Sequence, residues 1–400
     1  MPAPRTVYDA VLQAARDVTK LGCALDAEML GTALLGSVYS VASDDRAAAV
    51  RDFVGRFLTA TTAPDAPATT TIREVFAALV PDADGATEVG HAAEAPAWAA
   101  QLGRVRPTGC WAYGDVFGDQ TSYLVTFAYE DDSEGGPEHA VVALVDHNIG
   151  ITKDLFVAAS AAPRLAQVRE LCEADELTWF RTEDPGRLRD EVGRHLRVTD
   201  ELSELPSDGS LATDRALAAA RLALLPAVTT PPLTEPAGPA GHDLVRDFLS
   251  SPEAARFDLP AGSGDPADLA SLDFCVSLVL DHAASLPGGD PLRWSPAVAG
   301  LFLLDWVHRR AVLDLDDAAM MPRVVRAWSA YATVRRNLPA AAVQETEDAL
   351  GELIPEFARL YTTGERRSPA TAAVAQLISE GVDPGDTAAI DAWLEANRDE

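Results

Sequence analysis

The chain has 400 residues, 48% of them hydrophobic and 24% charged. That length and apolar share suit two or three domains with cores of their own and exclude a disordered chain. Against 62 acidic residues stand 32 basic ones, a net charge of −30, and the resulting field repels a nucleic acid or an anionic membrane.

Residues 1–60 read as a helical segment of three amphipathic helices. Val7, Tyr8, Val11 and Leu12 fall at helical spacing, Asp26 is placed to cap a second helix through Val38, and Ser43 a third through Leu58. Thr59–Thr71 has the composition of a linker. Thr71-Ile72-Arg73-Glu74 forms a capping-box pattern that opens a helix to Val80, and a short helix follows around Pro96–Leu102.

The pattern then changes from period 3.6 to period 2. Trp111–Phe117 and Ser122–Tyr129 read as a hairpin turning at Gly118-Asp119, and Glu130–Gly136 as an acidic loop. Ala140–Val145 is apolar on both faces, as a covered interior strand is. Ile151–Val157 and Leu177–Arg181 read as further strands. Helices are expected from Pro163, after the Asp184-Pro185 cap, and over Leu211–Leu225. Residues 70–225 therefore read as an α+β domain with a small, mostly antiparallel sheet flanked by helices.

Residues 226–241 form a Pro-rich linker, since proline at that density stops helix and sheet alike. Residues 242–400 read as an all-α domain. Its helices are His242–Leu249, Ala267–Ser285, Pro296–Arg310, Pro322–Arg336, Pro339–Tyr361, Ser368–Ser379 and Asp386–Asn397.

Three stretches, TGCWAYGDVFGDQTSYLVTFAYE, VVALVDHNIGITKDLFV and DPLRWSPAVAGLFLLDWVHRR, resemble a family of uncharacterised actinobacterial proteins from about residue 70 onward. The resemblance implies a bacterial cytoplasmic protein with the same order of parts, and brings no activity and no catalytic residues with it. The family has two glycines after its DHN; this chain has Ile149-Gly150, so a close approach that needs glycine at 149 is not expected.

Two constellations carry candidate chemistry. At the end of the 140–145 strand lie Asp146, His147, Lys153 and Asp154, with Asp115 and Asp119 on the neighbouring hairpin. Carboxylates and imidazole at a sheet end suit a divalent ion and metal-activated water, with Asp115, Asp119, Asp146 and His147 as ligands. The plainer reading makes Asp146 and Asn148 turn formers. The second constellation is the turn Asp290–Pro296 with Arg293 and Trp294, followed by Asp305, Trp306 and Arg309. It reads either as a binding groove or as a turn locking two helices, with Ser295 as cap and Pro296 at N1. His195, near an apolar stripe, reads as a packed histidine.

Cys23, Cys110, Cys172 and Cys275 share no C-x-x-C spacing, which argues against a structural zinc site or a disulfide scaffold. No apolar run approaches the ~20 residues of a spanning helix. No P-loop, Rossmann glycines or nucleophile elbow occurs. The expectation is a cytoplasmic interaction or regulatory protein without enzymatic activity, with a protein partner, no cofactor, no nucleic acid and no membrane. The alternative is a metal-dependent hydrolase at the Asp146–His147 strand end, and a third reading is an acidic decoy of nucleic acid.

Overall fold

The computed structural model describes residues 6–62, 66–90, 94–206, 209–228, 241–260, 264–382 and 386–396. Contacts divide the chain into two units, residues 1–115 with 120–233, and 116–119 with 234–400. Most of the Pro-rich linker lies outside the described residues.

The first unit begins with α1 (Val7–Ala14), α2 (Ala24–Val41), α3 (Arg46–Ala60) and α4 (Pro67–Leu79). Three of these helix starts differ from the sequence reading: α2 opens at Ala24 after Cys23, with Asp26 inside its first turn and not at the cap. Asp45 caps α3, its carboxylate accepting from Ala48 N. α4 starts at Pro67, a turn before the Thr71 capping pattern, because proline at N1 needs no hydrogen-bond partner for its nitrogen.

Five strands follow: β1 (Val105–Asp115), β2 (Gln120–Tyr129), β3 (His139–Asp146), β4 (Ile151–Ala158) and β5 (Thr178–Thr182). They pair antiparallel in the order β4-β3-β2-β1-β5. The acidic loop between β2 and β3 carries a one-turn helix, α5 (Asp132–Gly135). Between and after the last strands come α6 (Ala161–Ala174), α7 (Pro185–Asp200) and α8 (Leu211–Leu222). The Asp184 carboxylate accepts from Arg187 N, 2.9 Å away, as the Asp-Pro pair predicts.

Both faces of β3 are covered, which is why its sequence does not alternate. Val141, Ala143 and Val145 join the large core that the helices of residues 7–60 share with α7 and α8. Ala140 and Val142 face a smaller cluster with Ala161 and Leu165 of α6. A buried polar network ties helices to sheet. The Arg221 guanidinium of α8 pairs with Glu28 of α2, donates to the Tyr129 hydroxyl at 2.9 Å, and donates through Nε to His139 Nε2 at 3.0 Å. Gly103 N closes the remaining oxygen of Glu28 at 2.8 Å.

The second unit is helical: α9 (Gly241–Leu249), α10 (Pro252–Arg256), α11 (Pro266–Ser285), α12 (Pro296–Leu301), α13 (Val307–Arg310), α14 (Leu315–Arg335), α15 (Ala340–Thr363), α16 (Pro369–Ser379) and α17 (Thr387–Ala396). A π turn, Phe302–Trp306, joins α12 to α13. α14 begins seven residues before Pro322, the start expected from the sequence. Asp314 and Asp317 cap it reciprocally, and that signal outweighs the proline, which the helix absorbs in its interior. No helix is long and apolar enough to cross a membrane among the described residues.

Candidate functional site

β3 ends at Asp146, and the carboxylate shapes the turn that follows. Its Oδ1 accepts from Asn148 N at 3.0 Å, and its carbonyl accepts from Gly150 N at 2.8 Å. Gly150 closes the turn at φ +73°, where a side chain would be strained. Oδ2 accepts from Gln120 Nε2 at 3.2 Å and lies 3.5 Å from Lys153 Nζ. Asp146 thus forms an Asx turn, the arrangement in which a short carboxylate mimics a backbone acceptor.

The neighbouring carboxylates are engaged in the same way. Asp115 Oδ2 accepts from Gln120 N at 2.7 Å, and Asp154 Oδ1 from Leu155 N at 2.8 Å. Asp119 accepts from Ser295 Oγ at 2.8 Å and lies 3.7 Å from Arg293. Among the described residues, these carboxylates form no metal-type cluster with one another.

His147 meets different partners. The turn carries its ring toward α7, where Glu191 and His195 stand one helical turn apart on one face. One potential ligand atom from each of His147, Glu191 and His195 lies within 4.8 Å of the other two. The two imidazoles are edge to face, with centroids 5.6 Å apart at 87°. His147 Nε2 is 3.0 Å from Thr121 Oγ1 on β2. His195 Nδ1 is 2.9 Å from the Glu191 carbonyl and 3.8 Å from Glu191 Oε1. Arg194 pairs with the other oxygen of Glu191.

α7 is held in this position one turn further on. Thr199 Oγ1 accepts from Thr152 N at 2.9 Å and donates to Thr152 O at 3.0 Å. The helix face Glu191, His195, Thr199 therefore sits on the β3–β4 end through the Thr199 hydroxyl's two bonds to the Thr152 backbone as well as packing. His195 is buried, whereas His147 and Glu191 are half-buried.

In the second sequence candidate, the turn residues bond to the neighbouring helices α12 and α14. Ser295 Oγ accepts from Val298 N at 3.0 Å and caps α12. Asp290 Oδ1 accepts from Leu292 N at 2.9 Å, and Trp328 Nε1 donates to Pro291 O at 3.1 Å. Trp294 is only 1% exposed. It lies in an aromatic box with His282, Phe302 and Trp306. Asp305 and Arg309 pair at 2.8 Å on a half-exposed helix face. Among the described residues neither nitrogen of His282 makes a hydrogen bond of normal geometry, and the Val298 backbone near the ring opposes part of the effect of burial. Burial pushes the His282 imidazole down to about 4.

The helical unit also carries a groove of about 690 Å³. Its apolar lining includes Phe274, Val312, Leu313 and Ile378, and Asp314 and Asp316 stand exposed beside it. Ile378 is 44% exposed.

Sequence reasoning missed Glu191 as a site residue and took His195 as packing alone. The available signal was Glu-x-x-x-His on a capped helix, two ligand types on one face. No family model, curated protein or solved structure matches the chain.

Proposed function

We propose that the chain is an interaction or regulatory protein that docks a basic, amphipathic segment of a partner protein in the groove of its helical unit. The observation that carries this reading is the pairing of an apolar floor, Phe274 and Ile378, with exposed carboxylates at Asp314 and Asp316. The net charge of −30 favours a basic partner over an acidic one and speeds its encounter.

Fluorescence anisotropy with a labelled Lys/Leu amphipathic peptide and its Glu/Leu counterpart tests it. The basic peptide is expected to bind and the acidic one not. Ile378→Asp separates docking from general charge attraction, because it adds a negative charge while removing part of the apolar floor. Weaker binding of the basic peptide by Ile378→Asp supports the groove; equal or tighter binding rejects it.

A second reading, a metal-dependent hydrolase at the Asp146–His147 strand end, draws support from the two imidazoles and one carboxylate gathered there. Three protein ligands with a remaining position for water are the usual make-up of a catalytic zinc site. Metal-dependent turnover of a model ester or phosphoester by the full chain, lost in His147→Gln, is the expected result. No turnover in the metal-loaded protein counts against it.

A further inference from the structure

We infer that His147, Glu191 and His195 bind one divalent transition-metal ion of the zinc class. The inference deepens the metal site of the hydrolase reading, but an ion bound there can serve structure as well as chemistry.

The donor set selects the metal. Two imidazoles and one carboxylate suit zinc, cobalt or nickel, whereas calcium and magnesium take oxygen ligands almost alone. The rings are also supported as metal-binding histidines commonly are. Thr121 holds Nε2 of His147 at 3.0 Å. The Glu191 carbonyl lies 2.9 Å from Nδ1 of His195, so that nitrogen carries the proton and the ring's lone pair sits on Nε2. Arg194 pairs with one oxygen of the Glu191 carboxylate at the surface, and Oε1 lies on the side of His195.

The distances are compatible with modest closure. Around a tetrahedral ion at about 2.0–2.1 Å, ligand atoms stand about 3.3 Å apart. Here one donor atom from each of the three side chains lies within 4.8 Å of the other two. Side-chain rotation of His147 and Glu191, both half-buried, supplies the difference without moving the backbone. His195 and its helix need not shift, since Thr199 clamps α7 to β4. The ion would tie the β3–β4 turn to α7, two segments remote in sequence. The same half-burial leaves a side open for the ion to arrive and for water to complete its shell.

The full chain, stripped with a chelator, is titrated with Co²⁺ and then Zn²⁺. Visible d–d absorption should saturate at one equivalent, without the intense near-ultraviolet band of thiolate ligands, and Zn²⁺ should displace it. His147→Gln and Glu191→Gln should each weaken Zn²⁺ binding at least tenfold with an unchanged circular dichroism spectrum. No saturable absorption, a thiolate band, or wild-type affinity in both variants would overturn the assignment. One equivalent bound with no ester or phosphoester turnover leaves the site standing and removes the hydrolase reading alone.

Discussion

The strand end of the first unit and the aromatic box of the second each contain buried or half-buried imidazole, and they treat it in opposite ways. At the strand end, His147 and His195 each have a nitrogen beside an oxygen and a carboxylate close by, and the half-buried His147 and Glu191 give the buried His195 an open side. In the box, His282 sits among Trp294, Phe302 and Trp306, 2% exposed and without a full hydrogen bond. The first arrangement favours a cation, since lone pairs and a carboxylate converge. The second favours a neutral ring, since burial penalises its charged form. His139 stands between the two: buried, but accepting from Arg221, with burial and that guanidinium pushing it down to about 3. The same residue type thus serves three ends, decided by partners and access to water.

The largest effects should come from the two buried arrangements. Trp294→Ala is expected to cost about 3–5 kcal/mol, because its ring fills the box and leaves a cavity; a urea melt reads it. An unmoved midpoint would mean that the box does not stabilise the helical unit. Arg221→Met should cost a similar ~3–5 kcal/mol, since it leaves Glu28 buried without its cation. Hydrogen exchange should locate that loss in α2, β2, β3 and α8.

Acid should act next. His139 and His282 have folded values of about 3 and about 4, below the unfolded value near 6.5. Between those limits the unfolded chain binds protons that the folded chain refuses. Stability should therefore fall as pH drops below about 6.5, by up to about 1.4 kcal/mol per pH unit per histidine, and these two groups contribute no slope above it. His282→Phe should flatten that slope by one histidine's share. At neutral pH the same substitution should raise stability by about 1 kcal/mol, the smallest effect, because an unsatisfied buried polar group is replaced by an apolar ring. Destabilisation instead would show that the Val298 backbone near the ring matters more than the geometry suggests.

Much of this architecture was legible in the chain. Asp184-Pro185 and Ser295-Pro296 announce their helix starts because cap and fixed φ act locally. β3 was legible as a covered strand because both its faces are apolar. α14 was misplaced because Pro322 looks like a helix opener, while the reciprocal Asp314–Asp317 cap lies just upstream. At the candidate site, Asp146 was legible as a turn former, but the partners of His147 were not. Glu191 and His195 reach it only through the docking of α7 on β4, which depends on Thr199 and Thr152 meeting. No local pattern encodes that meeting.

The contrast between the two imidazole environments is tested most directly by following histidine side chains in the ¹⁵N-labelled full chain during Zn²⁺ titration by NMR. The account predicts that the imidazole resonances of His147 and His195 shift together and saturate at one equivalent, while those of His282 and His139 stay in place. Resonances of His147 and His195 that remain unmoved, or a shift at His282 instead, would contradict it.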